Sequence, residues 1–127
     1  MSTLRVSTIQ DTAGSNSSTP AAIANGIAKA WVNFNGTGTV AIRAQYNVSS
    51  ITDNGNGDYT VNFTNALADA NYFFAGMGQY DTTGGGDRRV GVARVSNAIA
   101  AGSARIQSLD GGGTPSDFLV VAFAVFR

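Results

Sequence analysis

An all-β fold is what this sequence predicts: a single antiparallel β-sandwich, with a jelly roll among the admissible strand orders, led by an extended N-terminal arm and carrying one short helix. Three observations predict it. Apolar and polar residues alternate with a period of two in several stretches, the pattern of strands with one face buried. Asn-Gly steps at residues 25–26, 35–36, 54–55 and 56–57, joined by Asp110-Gly111, punctuate the chain at hairpin-like spacing, because both residue types tolerate positive φ. Sixteen glycines against two prolines, with Thr, Val, Phe and Tyr well represented, favour tight turns and pleated strands over helices.

Taken in chain order, residues 1–18 read as an arm and linker, and residues 19–127 as the sandwich domain. Leu4, Val6 and Ile9 lie beside Arg5 in an extended-looking stretch, followed by a linker rich in Gly, Ser, Asn and Thr. Chain ends fray by default. Three aliphatics in nine residues exceed what a solvated tail needs, so a frayed end and an arm docked on a neighbour stand as the two readings. Thr19 and Pro20 then open the one expected helix, over residues 19–24, with Thr19 as N-cap and Pro20 at the first helical position.

Residues 30–34 read as the first strand, with Trp31, the sole tryptophan, expected to anchor the core rather than to offer a sugar-stacking platform. Val40, Ile42, Tyr46 and Val48 share a parity and hence a face, with Arg43 and Asn47 opposite. Ile51 has the wrong parity for that face, which predicts a bulge or bend near Ser49 and Ser50. Tyr59, Val61 and Phe63 alternate cleanly with Thr60, Asn62 and Thr64. Val90 and Val92 alternate with Arg89 and Gly91, and residues 104–109 form a weaker strand with apolar residues on both faces. Residues 118–126, FLVVAFAVF, are continuously apolar, as a strand covered on both faces would be. Such a strand is central within one domain, or turns its outer face toward a partner subunit. The count comes to roughly seven to nine strands.

The absences bound the chemistry. The chain has no Cys, no His and no Glu, and Lys29 is its one lysine. Disulfides, thiolate chemistry, the commonest general base and the commonest metal ligand are thereby excluded. Eight basic and eight acidic residues cancel, so no net field draws the chain toward nucleic acid or anionic lipid. Low, balanced charge favours association. No apolar run reaches the ~20 residues of a membrane-spanning helix, and no membrane insertion is expected. The opening MSTLRVSTIQDTAGSNSST lacks the apolar core of a secretory signal, which predicts synthesis in a cytoplasm.

Each motif that imitates a functional site fails on its spacing. Residues 53–58, DNGNGD, superficially resemble a calcium loop, but the third position is Gly55 and the twelfth is Thr64, where a ligand and a Glu belong. A hairpin turn is the expectation there. Residues 84–89, GGGDRR, lack the Lys-Ser/Thr ending of a phosphate loop and precede a strand. That stretch reads as a loop tip whose arginines could meet an acidic surface or a glycan, and Tyr80, Arg88 and Arg89 are its candidate ligand-facing residues. Arg5, Arg43, Arg94 and Arg105 are isolated, whereas a nucleic-acid surface wants clustered basic residues interleaved with aromatics. Catalysis would rest on Asp, Tyr, Ser or Thr. The one respectable option, a two-carboxylate glycosidase, has no pair of aspartates that the pattern brings together. Neither catalytic residues, metal ligands nor cofactors are therefore expected. Asn-x-Ser/Thr sequons at Asn16, Asn47 and Asn62 carry no weight without a secretory route.

The blocks AKAWVNFNGTGTVAIR at residues 28–43, NVSSITDNGNGDYTVNF at 47–63 and ALADANY at 66–72 resemble a recurrent module of virion structural proteins from marine and cyanobacterial tailed phages. The opening MSTLRVSTIQDTAG is similar to the start of those proteins. Two departures stand out: Ala44-Gln45-Tyr46 replaces the acidic-aromatic step that often precedes NVSS, and nothing after Gly76 follows the family pattern. The resemblance implies a virion location and a capsid decoration, knob or tail-fibre-like role, without catalysis. It also implies assembly as a homotrimer. Leu4, Val6 and Ile9 would bury against capsid or tail, at roughly 1.5–3 kcal/mol each before ordering costs, while loops 81–89 and 110–117 face outward. A carbohydrate-binding module recognising a host surface glycan is the alternative, and a small glycoside-cleaving enzyme a weaker one.

Overall fold

A computed structural model of the chain describes residues 1–80 and 88–127. Its elements run β1 (Ile9–Gln10), β2 (Ser17–Ser18), α1 (Pro20–Gly26), β3 (Ala28–Asn35), β4 (Ala41–Tyr46), β5 (Val48–Gly55), β6 (Asp58–Phe63), β7 (Phe73–Gln79), β8 (Arg89–Val92), β9 (Ile99–Ala100), β10 (Ser103–Leu109) and β11 (Val120–Phe126). The fold is all-β, with one short helix. β4-β3-β11-β7 form one antiparallel sheet; β5-β6-β10-β8 form the second, with β9 also on β10. The adjacent hairpins β3–β4 and β5–β6 give a hairpin-based order in place of a jelly roll.

The core lies between the two sheets. Ala30, Val32 and Phe34 of β3 and Val121, Phe123 and Val125 of β11 point inward from one side. Tyr59, Val61 and Phe63 of β6 and Ala104 and Ile106 of β10 meet them from the other. Each set follows the period-two rule, so the opposite parity of every strand faces outward. β11 is indeed central to its sheet, flanked by β3 and β7. Edge-on aromatic contacts, Phe34 with Tyr59 at 5.1 Å and Phe63 with Tyr72 at 6.1 Å, tie the layers together.

Trp31 corrects the sequence reading. The inward parity of β3 belongs to Ala30, Val32 and Phe34, so Trp31 stands on the outer face, 39% exposed. The shared face expected for Val40, Ile42, Tyr46 and Val48 also fails. A bulge at Arg43 shifts the β3–β4 register between Asn33 and Phe34, so Ile42 pairs with the inward Phe34 while Tyr46 pairs with the outward Trp31. One residue of slip exchanges the faces. Beyond it, Asn47 adopts φ 54 and the chain passes from the first sheet to the second. The bulge expected near Ser49 and Ser50 is present: the β5–β6 register shifts between Val48 and Ser50, which lets Val48 and Ile51 both turn inward.

One end of the sandwich is closed by the 53–58 turn, the β5–β6 hairpin. Asn56 Nδ2 donates to the Pro115 carbonyl, Gly57 N–H donates to Asp117 Oδ1 at 2.7 Å, and the Tyr59 hydroxyl reaches the same carboxylate oxygen at 2.7 Å. Gly57 has φ +64, and a Cβ there would come within 2.3 Å of the Ser116 nitrogen, so glycine is demanded twice over. The 110–117 loop is therefore laced to the body; its exposed tip is residues 111–114.

Candidate assembly surfaces

The arm is ordered locally. β1 and β2 pair antiparallel through Ile9–Ser18 and Gln10–Ser17. The intervening turn is held by Asp11, whose carboxylate accepts from Ser15 N–H at 2.9 Å and from Asn16 Nδ2 at 2.7 Å. These bonds hold the Asp11 carboxyl below its ordinary range. So part of the stretch expected as linker is a small hairpin, because an Asp at the turn start and Gly14 at φ +70 close it. Thr19 then caps α1 as expected, its Oγ1 accepting from Ala22 N–H at 3.1 Å with Pro20 in the first turn.

This unit lies outside the core. Of residues 1–27, all but Ile23 are exposed, and α1 buries none of its residues. Leu4 is 85% exposed, and Val6 and Ile9 are exposed as well. Ile23 and Ile27, four apart, share one face of the helix end. Together with Leu4, Arg5, Val6, Ile9, Pro20 and Ala24 they line an open apolar groove of about 530 Å³. The structure thus brings the four arm residues into one surface and adds Ile23 and Ile27, whose spacing in the sequence was the available signal.

A second apolar surface covers the outer face of the β4-β3-β11-β7 sheet. Trp31 sits between Tyr46 on β4 and Ala124 on β11, and Ala124 in turn faces Ala75 on β7. One register step along, Asn33, Ala122 and Met77 form the next row. On the other side of the Trp31 row, Phe126 pairs with Phe73, their rings 6.2 Å apart. Phe73 is 68%, Met77 72% and Tyr46 56% exposed. An open groove of about 520 Å³ runs over the alanines between Trp31 and Met77. β7 escaped the sequence reading because its inward positions include Gly76 and Gly78. A Cβ at Gly76 would lie 3.0 Å from Val90, and one at Gly78 only 2.4 Å from the Phe118 ring. Glycine inside and Phe73 and Met77 outside invert the usual pattern; the alternation Gly76-Met77-Gly78 was the signal to use.

The expected ligand-facing residues meet in part. The Arg88 guanidinium lies 4.7 Å over the Tyr80 ring, and the Tyr80 edge packs on Phe118 at 5.8 Å. Arg89 points outward from β8, near Gly113. A Tyr80 ring already covered by Arg88 is a filled platform. Most of the 81–89 loop and of the GGGDRR stretch, residues 81–87, lies outside the described residues.

The described aspartates have structural occupations. Asp58 accepts two hydrogen bonds from Arg105, at 2.8 and 3.0 Å, and the guanidinium holds its carboxyl below the ordinary range. Asp69 pairs with Arg127 at 2.6 Å, Asp110 organises the 110–114 turn, and Asp117 closes the Tyr59 end. Among the described residues, no group of three or more Asp, Glu, His or Cys is gathered as a metal site, and no helix is long and apolar enough to cross a membrane. A polar cleft of about 330 Å³ beside Tyr46 is lined by Gln45, Asn47, Thr64 and Asn65. Its amides are largely committed: Asn47 Nδ2 donates to the Lys29 and Asn65 carbonyls, and Gln45 Oε1 accepts from Val48 N–H. No family model, no curated protein and no solved structure matches this chain.

Proposed function

We propose that this chain is a non-enzymatic structural subunit of a tailed-phage virion, a capsid decoration, knob or tail-fibre-like protein that attaches through its N-terminal arm and displays the β domain as a homotrimer. One observation carries the reading: residues 1–27, with a hairpin and a capped helix of their own, lie outside the core with Leu4, Val6, Ile9 and Ile27 exposed. A hairpin and a capped helix cost conformational entropy to form. Their apolar groove returns that cost when a neighbouring surface fills it. Leu4, Val6 and Ile9 are the anchors, at roughly 1.5–3 kcal/mol each when fully buried, and Arg5 beside them suits a partner's carboxylate or carbonyl.

Deleting residues 1–18 tests this. The truncated chain keeps every core residue, so it should fold, and it should be missing from particles that incorporate the full chain. Normal incorporation of the truncated protein, measured by mass spectrometry of purified virions, would overturn the arm's role.

A carbohydrate-binding module is the second reading, favoured by the exposed Trp31 and Tyr46 side by side. It ranks behind because the nearby amides that would read hydroxyls already bond within the chain. Binding of the isolated protein to a glycan array, lost on Trp31→Ala, would promote it.

A further inference from the structure

We infer that the outer face of the β4-β3-β11-β7 sheet is where copies of this chain pack against one another. The inference rests on the reading of the chain as an assembling subunit and names the surface that performs the assembly. The first argument is chemical. The central rows, Tyr46-Trp31-Ala124-Ala75 and Ala44-Asn33-Ala122-Met77, carry no ionisable side chain apart from the Tyr46 phenol. Arg43 stands at the β4 margin, its Nη1 3.5 Å from Asn33 Oδ1, and the rows inside that margin are uncharged. An uncharged surface selects a partner uncharged in the same way, and a second copy supplies one by construction.

The second argument is shape. Trp31 and Ala75 both flank Ala124, so two strand spacings, roughly 9–10 Å, separate them. Trp31 and Met77 rise on either side of an alanine floor, giving one surface both ridges and a groove. Bulky side chains of one copy can enter the groove of the next, as facing sheets do when they interdigitate.

The third argument is area. At the exposures of Phe73, Met77, Tyr46 and Trp31, these four side chains leave on the order of 500 Å² open. With the four alanines and Phe126 the face approaches the ~800 Å² per partner of a standard stable interface. A lone monomer's largest apolar patch is typically about 300–600 Å², so these four side chains alone lie in the upper half of that range before the alanines are added. β7 adds an uncharged edge strand, FFAGMGQ, of the kind assemblies cover.

The test uses the full chain and its mass in solution by sedimentation equilibrium, with far-ultraviolet circular dichroism reporting the fold. The unsubstituted protein and a control, Thr39→Lys/Thr52→Lys, should both be oligomeric. Phe73→Lys/Met77→Lys should keep its β spectrum and dissociate, with a dissociation constant raised at least ~100-fold. Because the chain has no cysteine, Met77→Cys gives a second readout that does not require the interface to be broken. Its thiol should react with a maleimide about 10-fold more slowly than that of Thr52→Cys at concentrations where the protein assembles. A monomeric unsubstituted protein, an oligomer that survives both lysines, equal thiol reactivity, or glycan binding lost with the two lysines would each overturn the proposal. Leu4→Ser/Val6→Ser/Ile9→Ser separates the two readings. Oligomers that no longer join virions support both; oligomers that still join virions sink the arm's role and leave this face standing. A monomeric arm variant beside an oligomeric Phe73→Lys/Met77→Lys would show instead that the arm joins the copies.

Discussion

The two outer faces of the sandwich are built on the same architecture and written in different residues. On the β5-β6-β10-β8 sheet the outward positions are Ser50, Thr52 and Asn54, then Asp58, Thr60 and Asn62, then Arg105 and Gln107. They bond to one another across the strands. Asn62 Nδ2 donates to Ser50 Oγ at 3.1 Å and to Thr52 Oγ1 at 3.0 Å, Asn54 Nδ2 to Thr60 Oγ1 at 2.9 Å, and Arg105 and Gln107 both to Asp58. The outward positions of the other sheet hold Trp31, Tyr46, Phe73, Met77 and alanines, with Asn33 and Gln79 the polar residues among them. The polar face shows how this chain furnishes a sheet surface meant for water, and so sets the apolar face apart as the exception.

The comparison can be broken most decisively by exchanging the vocabularies. Phe73→Thr/Ala75→Thr/Met77→Thr should abolish self-association while the melting temperature of the domain moves by no more than ~4 °C, as a change within about 1 kcal/mol would. Light scattering and a thermal melt read the two effects together; a protein that stays assembled, or that unfolds, defeats the comparison.

The interior that both faces share gives the next effect. Tyr59→Phe strips the hydroxyl that reaches Asp117 Oδ1 and the Gly36 carbonyl, and should cost about 1–3 kcal/mol in urea unfolding. Burial, with Asp117 beside it, pushes the Tyr59 phenol well above its ordinary value, and burial pushes Tyr72 up to about 12. A raised phenol gives stability that is whole below the unfolded value of about 10 and falls as pH climbs past it. Alkaline destabilisation should therefore be milder in Tyr59→Phe than in the parent.

Smaller effects probe the polar face. The Asp58 carboxyl is lowered chiefly by its hydrogen bonds from Arg105. A depressed carboxyl contributes stability above its unfolded value, near 4, and the contribution fades as pH falls through the folded value. Asp58→Asn should flatten the acid limb of a melting-temperature profile below about pH 4, and lower stability at pH 7 by about 1 kcal/mol for a partly exposed pair. Asn62→Ala, which cuts two cross-strand bonds in partial contact with water, should cost about 0.5–1.5 kcal/mol without altering the assembly state. Any change in oligomer mass from Asn62→Ala would blur the distinction between the faces.

The polar face was legible and the apolar one was not, for a physical reason. Tyr59, Val61 and Phe63 alternate with Thr60, Asn62 and Thr64, so hydrophobicity separates inside from outside. In β3 and β11 both parities are largely apolar, and period two then identifies two faces without saying which is buried. Trp31 was misassigned on that ambiguity; the outer face of β11 was foreseen as a possible meeting place with a subunit. β4 misled because a bulge at Arg43 exchanges its faces, and bulges have weak local signals. The aliphatics of the arm were visible at once; the hairpin of two residue pairs that holds them was too short to see.

Asn47 is the single residue between β4 of one layer and β5 of the other, its Nδ2 joined to the Lys29 carbonyl on one side and its Oδ1 to Asn65 N–H on the other. Residues 41–46 belong to one sheet and 48–55 to the other, with one left-handed joint between them. Tyr46, just before that joint, belongs to the apolar face, and Ser50, shortly after it, to the hydrated one. The two surfaces are separately adjustable, and a lineage could rewrite the apolar side chains of one sheet while keeping the hydrogen-bonded polar lattice of the other.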